Sequence, residues 1–271
     1  MSKRFNTKKS STGYFKHKLM LASLAVLIVI LFTVINGLIS SSNRNKYLQS
    51  IRIVDSMIAF INNESDSVKK LGLSFGSKSN SDQGESISSK LQSINNQLTS
   101  KMSDLEISPV ISSDSQAAQL FSELKKAFKT YSNGMNNMSK AYSVYENVAD
   151  DIADLNKLSL KSNLSYSEAN SYKNKTNQIA EQFKAANIGE KDIDQALAIM
   201  ANFYDKNANL VERALNGDRS NYDNLKEQAD NLAHDFTVKW KEVNGKLNQN
   251  ERTFIERLNR LSTYLYNRAK K

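Results

Sequence analysis

Residues 117–152 read AAQLFSELKKAFKTYSNGMNNMSKAYSVYENVADDI, and the spacing of their apolar side chains decides the fold class. Ala117, Phe121, Leu124, Phe128, Tyr131, Met135, Met138, Tyr142, Tyr145, Ala149 and Ile152 follow one another at steps of 4 and 3. A helix turns about once every 3.6 residues, so these side chains form one stripe that needs other helices to cover it. The stripe reads as core. It weakens at one turn, where Gly134 stands among Asn and Ser around Met135 and Met138. Glycine costs about 1 kcal/mol relative to alanine inside a helix. Gly134, Met135 and Met138 are therefore expected to mark a bend or a weakly packed layer, the place where a small ligand would find room.

The same 3,4 pattern recurs on both sides of this segment. Downstream, Ser165 and Glu168 match a capping box, opening a helix through Ala169, Tyr172, Ile179 and Phe183 that is expected to end at Gly189. Another follows through Ile193, Leu197, Met200, Tyr204 and Val211, stopped by Asn216 and Gly217. A last long helix carries Leu225 to Leu265 at 3,4 steps, with Asn250 as a polar residue in the seam. Upstream, Ile87 to Leu105 make a short helix that Pro109 follows, and Ile51, Val54, Ile58, Ile61 and Val68 make a stalk. Residues 72–86, rich in Gly and Ser, read as a flexible loop.

With one proline, nine glycines and no strand-like alternation, the chain is expected to be all-α. Stalk plus short helix, 112–160, 166–216 and 219–268 are each about 50 residues, or roughly 75 Å as helices. The expected form is an elongated antiparallel four-helix bundle, or a coiled-coil-like body. The alternative folds the stalk and the short helix back on each other as a hairpin, giving five or six shorter elements.

Residues 19–39, LMLASLAVLIVILFTVINGLI, are uncharged and span 21 positions, close to the roughly 20 a helix needs to cross the hydrocarbon. Lys3, Arg4, Lys8, Lys9, Lys16 and Lys18 precede them with no acid, which places the N-terminus in the cytoplasm. The expected organisation is a basic cytoplasmic tail at 1–18, a transmembrane signal-anchor helix at 19–39 and an extracytoplasmic helical domain at 40–271. Ser40 and Ser42 supply small residues for cleavage, so a removed leader is the alternative.

Of 37 Lys and Arg, six lie in that tail, leaving 31 against 28 acids outside it. The net charge of +9 is thus mostly topogenic, and nucleic-acid binding is not expected. The absence of cysteine excludes disulfides and thiolate metal sites, and suits a bacterial envelope. With His17 and His234 alone, a histidine triad or paired-histidine metal site outside the membrane is excluded. Phosphate-binding glycine loops and HExxH are also missing. Asp150, Asp151 and Asp154 share one helical turn and read as a solvated acidic face. No catalytic residue, cofactor or metal ligand is assigned.

The expected function is a non-catalytic single-pass membrane protein that presents a helical bundle for protein contacts, as a tether, scaffold or accessory subunit. Its expected partners are the lipid bilayer and a membrane or envelope protein, with self-association as a further mode. A sensor binding a small ligand between helices is the alternative. In layout alone, a basic tail, a span and an antiparallel bundle, the chain is similar to the sensing part of bacterial chemoreceptors. A third reading uses Tyr264, Tyr266, Arg268, Lys270 and Lys271, rings interleaved with cations, to contact lipid headgroups or an anionic wall polymer.

Overall fold

The computed structural model describes residues 44–64, 86–159, 164–218 and 220–270. The expected tail 1–18, the expected span 19–39 and residues 72–85 of the expected loop lie outside the described residues. Among the described residues every regular element is an α-helix, and no helix is long and apolar enough to cross a membrane. The helices are α1 (44–64), α2 (Ile87–Glu106), α3 (Pro109–Ser113), α4 (Ser115–Ser159), α5 (Tyr166–Ala185), α6 (Lys191–Leu215) and α7 (Tyr222–Ala269).

Two of these set the frame. α4 and α7, with 45 and 48 residues, are each about 70 Å long and run antiparallel. Glu123 meets Arg257, Phe128 meets Phe254, and Tyr142 meets Trp240. The stripe read from the sequence is what joins them: every position from Ala117 to Tyr145 is buried. Towards the end of α4 the buried positions change to Val148 and Leu155, and Ala149 and Ile152 are only half-buried. The helix runs unbroken through Gly134.

The remaining described helices form two hairpins packed on this pair, the first from the start of α4 as far as Glu146 and the second from the middle of α4 onward. In the first, α1 and α2 run antiparallel, tied by Ser50 to Ser108, Lys101 to Ser56 and Lys90 to Glu64. The collinear first rod is thereby corrected to its hairpin alternative. Ile51, Val54 and Ile61 supply apolar contacts from α1, joined by Met57, and Leu91, Ile94, Leu98, Met102 and Leu105 supply them from α2. Each short helix has one buried stripe, and facing stripes need a reversal of the chain. Ser86 starts α2 by accepting from the Ser89 amide. Glu146 of α4 then takes the Ser88 amide and hydroxyl at 3.1 and 2.5 Å, placing a carboxylate at the amide-rich helix end.

The second hairpin corrects the expected third rod, since α5 and α6 are not collinear over 166–216. α5 ends at Ala185, before Gly189, and Ala186 is extended. Gly189 takes φ +82°, a left-handed conformation that glycine adopts without a Cβ clash. Asp194 holds the turn by accepting from the amides of Ile188 and Gly189. Phe183 then stacks on Tyr204 across the hairpin, their ring centroids 5.9 Å apart. The Ser165–Glu168 capping box forms as the spacing indicates, and Gly217 at φ +72° ends α6. Pro109, expected to follow a helix, also begins one: it opens α3, where its missing amide hydrogen costs nothing.

Two ends result. At one, which we call the base, the starts of α1 and α4 meet the end of α7. At the other, the tip, the start of α5, the end of α6 and the start of α7 meet, and the end of α4 joins α5 through Asp151 and Asp154.

Candidate functional site

Three places bring functional side chains together. At the base, the Asp114 carboxylate is the hub. It accepts from the Tyr47 hydroxyl at 2.7 Å and from the Tyr264 hydroxyl at 2.8 Å, caps α4 through the Gln116 and Ala117 amides, and faces Arg268 at 3.5 Å. Burial pushes the Asp114 carboxyl up, but these hydrogen bonds outweigh it and hold it below its ordinary value. Burial and the neighbouring carboxylate drive Tyr264 the other way, to about 12. Arg268 also lies over the Tyr47 ring, 5.9 Å from its centroid. Beside this set, Tyr266 of α7 donates to the Asp55 carboxylate of α1 at 2.6 Å.

The base is where three of the residues proposed for lipid or polyanion contact are found. Tyr264, Tyr266 and Arg268 spend their polar groups on the fold, joining the end of α7 to α1 and α4. Lys270 is exposed and Lys271 lies outside the described residues. The structure thus gathers Tyr264 and Arg268 at one carboxylate, and leaves Lys270 apart from it.

Midway along the rod, a cleft of about 200 Å³ opens between α4, the start of α6 and α7. Met138, Ile193, Val243 and Leu247 form its apolar floor. Asn133, Asn137 and Asn250 stand on its rim, and none of these three amides makes a hydrogen bond among the described residues. α7 passes close to Gly134: a Cβ there would lie 3.0 Å from Leu247 Cδ1. The expected weak layer is therefore divided. Met135 is buried in the core away from the cleft, Met138 is buried but lines its floor, and Gly134 and the asparagines beside it border open space.

The cleft's charged edge comes from α6 and α7. Glu190 caps α6 by accepting from the Ile193 amide at 2.8 Å. Asp192 accepts from Lys239 at 2.6 Å and from Lys246, and Lys239 also reaches Glu242 at 3.3 Å. Hydrogen bonds from Lys239 and Lys246 lower the Asp192 carboxyl to about 2.

At the tip, Tyr166 and Tyr222 are 73% and 46% exposed and flank a shallow apolar recess floored by Leu164, Leu210 and Val211. Of the acidic turn on α4, Asp151 and Asp154 both receive Lys175 of α5, at 3.1 and 2.9 Å. Among the described residues no group of three or more metal-ligating side chains is arranged to hold an ion. His234 is exposed.

Sequence reasoning found Gly134 and Asn250 by the interruption each makes in an apolar stripe. It placed Glu190 among acids at a helix start, where it caps α6, but missed Asp114 and Lys246, which lie in ordinary polar positions and acquire meaning only when distant helices meet. The chain matches no protein family, no curated protein and no solved structure.

Proposed function

We propose that this chain is a non-catalytic membrane-tethered rod that holds a helical tip away from the bilayer to engage another envelope protein. The observation that carries the reading is the meeting at the base. The first turns of α1, which follow residues 19–39 in the sequence, are bound through Tyr47 and Asp114 to the last turns of α7. If 19–39 cross the membrane with the N-terminus inside, both ends of the helical body sit beside the headgroups. The long axis of α4 and α7 then carries the tip outward by up to about 70 Å.

The tip also has the features of a contact surface. Large rings exposed beside an apolar recess favour burial by a partner, and aromatic side chains lose little conformational freedom on binding. At the base, by contrast, the tail's rings and Arg268 serve the fold, which leaves Lys270 and the adjoining residue for headgroup phosphates.

The test is done in intact cells with a C-terminal tag and a photo-crosslinking residue at Tyr222 or Lys270. The tag is expected to travel with membranes and to be removed by external protease. A discrete protein adduct is expected from position 222, and lipid adducts from position 270. A tag released into the medium, or one shielded from external protease, contradicts the reading.

A further inference from the structure

We propose that the mid-rod cleft binds a short, extended and uncharged stretch of another protein chain, its main chain held by the rim asparagines and one aliphatic side chain on the floor. The size comes first. A volume of about 200 Å³ lies below the range of about 300–1,000 Å³ typical of drug-sized ligands, which leaves room for one side chain and the peptide groups beside it. The floor is aliphatic, and burying such a side chain on Met138, Ile193 and Leu247 supplies attraction without direction.

Charge is excluded by the lining itself. Glu190 and Lys246 are the two charged groups in it, and they balance. Glu190 accepts from the Ile193 amide at the start of α6, and Lys246 donates to Asp192 with Glu190 as a further negative neighbour. A charged ligand of either sign would compete with one of these bonds. An uncharged one competes with none.

Direction comes from the rim. Asn133 and Asn137 of α4 and Asn250 of α7 border the same cleft, and none makes a hydrogen bond among the described residues. Each amide offers a donor and an acceptor, the pair that a peptide unit also carries. Asn133 and Asn137 stand one turn apart, about 6 Å along the axis, and an extended chain presents like groups every second residue, about 6.6 Å apart. The two repeats match. Gly134 lies between them without a Cβ, so a main chain can approach the helix closely. From Thr130 to Asn137 this wall rises about 10 Å, the length of about three extended residues. The ends of a free short peptide are charged, so the lining favours the interior of a chain. The inference goes beyond the tethering role and does not depend on it, since the cleft lies in the described body whatever the fate of residues 19–39.

The probe is a tripeptide of alanine, leucine and alanine, acetylated at one end and amidated at the other. Two relatives change one feature each: the same tripeptide with free, charged ends, and a blocked one with alanine in place of leucine. Saturation-transfer NMR on the full chain in lipid nanodiscs is expected to show saturable binding of the probe, with the strongest transfer to its leucine methyls. Both relatives are expected to bind at least tenfold more weakly. Asn137→Ala and Asn250→Ala break no hydrogen bond among the described residues. Each is expected to weaken the probe several-fold with little change in melting temperature. No saturable binding at about 10 mM probe, equal binding of either relative, or an unchanged affinity in both asparagine variants would each overturn the proposal.

Discussion

The base and the tip are made from the same two long helices, yet they are held together differently. In the last 14 residues of α7, at the base, Leu258, Leu261, Ser262, Leu265 and Ala269 are buried. In its first 14 residues, at the tip, Ala229 alone is. The base adds a carboxylate hub that joins three helices, whereas the tip relies on cross-helix ion pairs such as Lys175 with Asp151 and Asp154 and Lys173 with Glu212. Exposed ion pairs contribute about 0–1 kcal/mol and are screened by salt, while buried aliphatic stripes are not. The difference teaches that cohesion is graded along the rod: the end beside the expected anchor is fixed, and the far end is free to open locally.

The largest test of this grading is a pair of equal truncations. Phe254 is fully buried against Phe128 and Tyr131, and Phe254→Ala is expected to cost about 3–5 kcal/mol in urea unfolding. Phe183, equally buried, belongs to the α5–α6 hairpin. Phe183→Ala is expected to speed amide exchange in α5, α6 and the first turns of α7 while exchange in α1, α2 and the end of α7 stays slow. Uniform acceleration along the rod would abolish the distinction between its ends.

Removing the hub comes next. Asp114→Ala deprives Tyr47 and Tyr264 of their acceptor and α4 of its cap, with an expected loss of about 2–3 kcal/mol. The increase in exchange is expected at both chain ends of the base together. A smaller loss, about 1 kcal/mol, is expected from Ser165→Ala, which breaks the capping box of α5. Its effect belongs to the tip, and exchange at the base should not respond.

The smallest effect is in acid. An unfolded aspartate titrates near about 4, whereas Lys239 and Lys246 hold Asp192 down to about 2. The folded state thus keeps this charge longer. Its stabilising contribution is complete above about pH 4 and is lost as pH falls through about 2. Asp192→Asn is expected to flatten the pH dependence of the melting temperature in that window, and high salt is expected to reduce the effect in the unmodified protein.

Helical class, the two long helices and the capping box were legible because each is a local property. The stripe from Ala117 to Tyr145 has a period that only a helix buries, and Ser165 and Glu168 need nothing beyond each other. Whether two collinear stripes form one rod or a hairpin is decided at a few turn residues. At Gly189 the decision needs φ +82° and a carboxylate five residues away, neither of which periodicity reports. The reading of 166–216 as a rod failed there. The mid-rod cleft was half legible. Gly134 and Asn250 interrupt their own seams, but that both interruptions face each other, and that α6 begins beside them, depends on the register between α4 and α7. Asp114 was illegible for the same reason, since Tyr47 and Tyr264 lie 67 and 150 residues away from it.

A tethered rod requires the base to lie at the membrane and the tip far from it. The sequence has no cysteine, so single cysteines at Tyr222 and Lys270 can be labelled with a donor fluorophore, and the full chain placed in liposomes carrying a headgroup acceptor. Strong energy transfer from position 270 and little from position 222 is the predicted result. Equal transfer from both, or stronger transfer from 222, would contradict it.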